Sequence, residues 1–237
     1  MAVSITNITA NSNITSGTSF TTSSQTFTSG RHYLFGVNVR NGSSINPSVP
    51  TVTGGGTTWS SVGTSSNFDD SGASRRTLFL FSGQCTSTTT GQLTVNFGAT
   101  SHTGIIYSID EATSHDTSGT IVQAASNRDV SGTVSNLTVT LTAFGSTNNA
   151  TYAVFCNGNS SATTTAGTGF TKLGDFSEAN ANVSGRLTSE WRNDNDTSAD
   201  ISYSLTAQLG GIAVEIKAAS TTVVKDLIGG GFIPFSR

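Results

Sequence analysis

No stretch of this sequence keeps its apolar residues at the helical period long enough to make a helix, and residues 223–228 supply one turn at most. The apolar runs are short instead, and several alternate with polar residues at period two. Residues 92–97 (QLTVNF) alternate cleanly, while 31–40 (RHYLFGVNVR) and 75–82 (RRTLFLFS) are dense in aromatic and β-branched side chains. Gly, Ser and Asn clusters separate the runs, among them Asn41-Gly42 and Gly54-Gly55-Gly56. About ten strands at short spacing are expected, in an all-β, antiparallel β-sandwich of the jelly-roll kind. Composition agrees. Ser and Thr make up about a third of the chain, and threonine suits the solvent face of a pleated strand.

One strand pattern occurs twice. Residues 104–112 read GIIYSIDEA and residues 211–219 read GIAVEIKAA, and each closes a stretch of similar layout. In that layout 151–156 (TYAVFC) answers 31–40, and 169–173 (GFTKL) answers GTTWSSV. Likewise 185–191 (GRLTSEW) answers SRRTLFLF, and 200–205 (DISYSL) answers GQLTVNF. Two readings stand side by side: two related halves, or the likeness that any two β segments share. Superposing Gly104 on Gly211 matches Ile109 with Ile216, so Asp110 and Glu215 do not align. The pair reads as closing strands of two half-sandwiches within one domain, residues 1–220.

Charged residues are 11% of the chain and the net charge is −3, which removes the electrostatic case for nucleic acid. No apolar run is long enough to span a membrane, and no leader is read at Met1, so cytosolic folding is expected. Cys85 and Cys156 each adjoin an apolar run and read as small buried hydrophobes.

Candidate chemistry is sparse. His32, His102 and His115 sit in no metal-ligand spacing. Asp69-Asp70 and Asp194-Asn195-Asp196 place carboxylates as a calcium loop would, though without its downstream Gly and Glu, and Asx turns explain them without an ion. Glu111, Glu178, Glu190 and Glu215 offer no visible pair for glycoside hydrolysis. No G-x-S-x-G elbow is present, so neither catalytic residues nor cofactors are assigned. Trp59 and Trp191 could stack on sugar rings, against the commoner role of strand aromatics as core.

The C-terminal residues 221–237 depart from the rest. Val223, Val224, Leu227, Ile228, Phe232, Ile233, Pro234 and Phe235 are concentrated there, around Gly229-Gly230-Gly231. Burying such side chains is worth roughly 1.5–3 kcal/mol each, so an extended apolar arm that docks on a neighbouring subunit is expected, with docking on its own domain as the alternative.

The runs PTVTGGGTTWSSVG and GIIYSIDEA, the Ser/Thr/Gly-rich strands and the apolar arm resemble virion surface proteins of tailed bacteriophages. These are jelly-roll capsid decoration (cement) proteins, head fibres and tail adhesins. The resemblance implies a non-enzymatic homotrimer on a virion, assembled in the host cytoplasm, with the major capsid protein or other virion proteins as partners. It supplies no catalytic residues. A carbohydrate-binding adhesin using Trp59, Trp191 or the loop at 194–196 is the alternative, and a hydrolase on the same scaffold is a third.

Overall fold

The computed structural model describes residues 2–69 and 74–220. All regular elements among them are β-strands or isolated bridges, and every strand pairing is antiparallel. The arm at 221–237 and Asp70 lie outside the described residues.

The first half carries eleven strands: β1 (Ser4–Asn13), β2 (Ser19–Thr21), β3 (Gln25–Phe27), β4 (His32–Asn41), β5 (Thr51–Thr53), β6 (Ser60–Ser61), β7 (Ser66–Asp69), β8 (Arg75–Gln84), β9 (Thr89–Gly91), β10 (Thr94–Asn96) and β11 (Gly104–Thr113). Their pairing is nested, β1 with β11, β2 with β10, β3 with β9 and β4 with β8. Rolling up this long hairpin lays β4 against β11 and β5 against β10. The result is a large sheet ordered β1-β11-β4-β8-β6, with β7 also on β8, facing the smaller β2-β10-β5 sheet and the β3-β9 ribbon. A rolled, nested hairpin of this kind is a jelly roll.

The second half contains β12 (Ile121–Thr140), β13 (Ala150–Asn157), β14 (Thr164–Ala166), β15 (Thr171–Glu178), β16 (Gly185–Arg192) and β17 (Ser198–Ile216). It repeats the same roll with fewer strands, two of them, β12 and β17, much longer. β12 pairs with β17 and β13 with β16, after which β13 and β14 close against β17. β13 stands where β4 stood and β16 where β8 stood, while β17 does the work of β10 and β11 together. The match read from the sequence is therefore a repeat of topology. Each copy is a complete two-layer sandwich, where two halves of a single sandwich were expected.

The facing of side chains corrects the sequence superposition. A side chain at Gly104 would meet Val183, and one at Gly210 would meet Phe68, both in the layer between the two large sheets. One at Gly211 would meet Phe155 and Val139 in the second half's own core. Gly104 thus corresponds in facing to Gly210. A one-residue slip in a strand reverses every side chain, and superposing Gly104 on Gly211 is such a slip. Asp110 and Glu215 remain unaligned, since they face opposite sides of their sheets.

The two large sheets stack back to back, giving three cores. Phe20, Phe35, Phe79 and Val95 fill the first sandwich. Val139, Phe155, Ile201 and Leu209 fill the second. Leu34, Leu78, Ile106, Tyr152, Val154 and Ile212 fill the layer between. Strands β4, β11 and β13 are consequently buried on both faces, which is why RHYLFGVNVR, GIIYSIDEA and TYAVFC are nearly continuous apolar runs. Cys85 and Cys156 are free, buried thiols, as expected.

The sandwiches also approach closely at Gly36, where a Cβ would lie 2.7 Å from Val154 Cγ2. Gly36→Val should cost roughly 1–3 kcal/mol through overpacking. Adding Val154→Ala should restore part of the loss. Urea denaturation of the single and double variants checks this, and two independent, additive losses would contradict it.

Candidate functional site

Asp110 is fully buried in the layer between the sandwiches. On β11, residues 106, 108, 110 and 112 share the face toward the second sandwich, so Ser108 and Asp110 interrupt an apolar stripe. The Asp110 carboxylate accepts from Asn7 Nδ2 at 2.8 Å on β1, from Ser108 Oγ at 3.1 Å and from the Tyr152 hydroxyl at 2.8 Å on β13. Ser108 Oγ lies 3.3 Å from Ser189 Oγ on β16, which accepts the Gly174 N–H at 2.9 Å. A Cβ on Gly174 would fall 2.4 Å from Ser108 Oγ and 2.8 Å from Asn7 Nδ2, so β15 needs a glycine there. Burial pushes the Asp110 carboxyl above its usual range, while the donors from Asn7, Tyr152, Ser189 and Ser108 pull it back. Tyr152, next to that carboxylate, is pushed well above the ordinary phenol range, chiefly by burial. The cluster joins the two sandwiches, with Ser108, Asp110, Tyr152 and Ser189 buried and Asn7 partly so at its edge.

Glu190, on β16, points away from that layer. It is fully buried; one oxygen accepts the Gly167 N–H at 3.1 Å and the other, Oε1, has no protein partner. Burial lifts its carboxyl to about 8; the Gly167 N–H lowers it and the charge of Asp200 raises it further. The other glutamates are spent separately: Glu111 on Tyr33 at 2.7 Å, Glu178 on Ser12 at 2.7 Å, and Glu215 on Gln123 at 2.6 Å and Asn149 at 2.5 Å.

The acidic loops are closed by arginines. Arg192 reaches Asp194 and Asp196 at 2.6 Å each, so a guanidinium sits between the carboxylates that resembled a calcium loop. Asp69 is paired with Arg76 at 2.6 Å. His32 and His115 are brought together, ring centroids 5.4 Å apart, with His115 Nε2 2.9 Å from Gln84 Oε1. Burial, then His115, lowers His32 to about 4. His102 packs edge-on against Phe97 at 4.2 Å. Among the described residues no group of three His, Cys, Asp or Glu converges as a metal site.

Trp59 is half-buried against the first core, its ring edge-on to Phe35 and its indole N–H donating to the Gly54 carbonyl at 3.0 Å. Trp191 packs against the layer between the sandwiches. The two rings thus belong to different cores. The assembly-contact residues Val223, Val224, Leu227, Ile228, Phe232, Ile233, Pro234 and Phe235 lie outside the described residues.

A surface cavity of about 800 Å³ opens where the described chain ends. Ala2, Val122, Ala218 and Ala219 give it apolar wall, and Asn148, Asn149, Glu215 and Lys217 give it polar wall. Sequence reasoning had set Glu215 aside as scaffold. Its two amide partners, Gln123 and Asn149, come from loops and strands far along the chain and carried no local signal.

Comparison with protein-family models, with curated proteins and with solved structures finds no match.

Glu190 sets a pH dependence. Between its unfolded value near 4.5 and its folded value of about 8, the folded state holds a proton that the unfolded state has lost, so stability falls as pH rises through this window. His32 acts oppositely, but only below about 6.5. Thermal unfolding from pH 6.5 to 9 should show a falling Tm in the parent protein and a shallower fall in Glu190→Gln. Equal slopes would rule Glu190 out as the cause.

Proposed function

We propose that the protein is a non-enzymatic structural component of a virus particle, decorating or cementing a phage-type capsid through protein–protein contacts. The observation that carries the reading is where the polar chemistry goes. Asp110, Asp175, Asp194, Asp196 and Glu111 are tied to hydrogen-bond or cationic partners within the fold. The Asp110–Tyr152 tie braces the two jelly rolls into one body while the others stay within one roll, and jelly rolls recur in capsid and lectin domains. Fold alone does not decide function. The apolar composition of residues 229–237 (GGGFIPFSR) adds a segment suited to gripping a neighbour, which fits subunits of a homo-oligomer or a coat protein.

The carbohydrate-binding alternative has less support, because Trp59 spends its N–H on Gly54 and both indoles lean on cores.

Removing residues 229–237 should leave a domain with unchanged Tm that no longer associates with particles made from the same genome. Sedimentation of added protein with particles lacking it reads the outcome. Full occupancy by the shortened chain would refute the arm as anchor. Glycan-array binding lost on Trp59→Ala or Trp191→Ala, with folding intact, would favour the adhesin.

A further inference from the structure

Glu215 is 1% exposed and lines the cavity, yet its two partners there are neutral amides. The other charged group of the wall, Lys217, is engaged by Asp116 at 2.9 Å. Among the described residues the cavity therefore presents one carboxylate without a cation, beside Ala2, Ala218, Ala219 and a Val122 that is 51% exposed. Buried charges in proteins are ordinarily paired. A fitting occupant carries a positive charge flanked by small or branched apolar side chains.

Residues 223–228 read Val-Val-Lys-Asp-Leu-Ile, and Ser220, where the described chain ends, is itself part of the cavity wall. Lys225 is five residues beyond, and an extended chain covers about 3.5 Å per residue, so the cavity is within reach. We propose that this cavity is the seat of the chain's own segment 223–228, with Val223 and Val224 against Val122 and Ala218, and Lys225 against Glu215. The tether favours this occupant over a second copy, because a short linker holds the segment at a millimolar-scale effective concentration. Seating it would make 223–228 a latch on the domain and leave only the stretch after Gly229-Gly230-Gly231 to reach outward. The inference holds whether or not the protein sits on a virion.

Two measurements on the full chain test it. Cys85 and Cys156 are buried and free, so a new pair can be oxidised selectively. Val122→Cys with Val224→Cys should form an intramolecular disulfide at a rate independent of protein concentration. Val49→Cys with Val224→Cys, using an exposed valine away from the cavity, should not. A double-mutant cycle of Glu215→Gln and Lys225→Gln, read by urea unfolding, should show coupling of about threefold to thirtyfold in the unfolding equilibrium constant. The proposal requires both results. Disulfides formed only between chains would assign the cavity to a second copy and overturn it, as would cross-linking no better than the control or additive effects in the cycle. Neither readout involves particle binding, so failure here is distinguishable from failure of the assembly reading.

Discussion

The structure depends on the layer between the two large sheets. Neither jelly roll could stand alone with the sequence it has, because β4, β11 and β13 carry apolar residues on both faces. Separating the sandwiches would expose Leu34, Leu78, Ile106, Val154 and Ile212 together. An apolar layer is non-directional and would tolerate sliding. The Asp110 cluster supplies direction, since its hydrogen bonds to Asn7, Ser108 and Tyr152 hold only at one offset of the sheets. Closing on Gly174 adds a steric stop. Fully satisfied buried networks specify one arrangement at a cost in desolvation, and the raised Asp110 carboxyl is that cost expressed chemically.

The second jelly roll achieves the same roll with fewer breaks. Where the first half turns between β10 and β11, the second runs straight through as β17, and β12 likewise covers what β1 and β2 do separately. A twenty-residue edge strand is a hazard, because unpaired edges template further pairing. The register shift between Asp129 and Val134, with Gly132 at φ 74°, kinks β12 midway and puts Arg128 and Asp129 at the bend. A bulge with charges beside it is a common way to blunt such an edge.

Much of this was legible in the sequence. The class, the jelly-roll style, the repeated layout and the buried thiols all follow from periodicity and from which runs are continuously apolar. Strand number was underestimated at about ten against seventeen among the described residues, because β2, β3, β6, β9 and β14 have two or three residues and show no alternation. The back-to-back stack was missed for a different reason. A doubly buried antiparallel strand looks in sequence like any apolar run, and only tertiary context says what covers the second face. Within the candidate sites, Asp110 and Glu215 could be seen as carboxylates beside apolar runs. Their partners Asn7, Tyr152, Gln123 and Asn149 could not, since each is brought in by the roll from a distant segment. The arginines that close the acidic loops were equally invisible, although Arg192 precedes Asp194 by only two residues.

That internal use of charge also shapes what the exterior can do. With 11% charged residues and ion pairs such as Arg76–Asp69, Arg186–Asp175 and Arg192–Asp196 made within the chain, little field is left to steer a partner from a distance. Recognition by such a surface must come from fit, from the hydroxyls and amides of Ser, Thr and Asn, and from apolar anchors. Contacts of that kind form slowly but resist salt, because screening has little to act on. A body braced this way is suited to being held in place permanently. On the reading proposed above, a fixed position in an assembly would make use of such a surface.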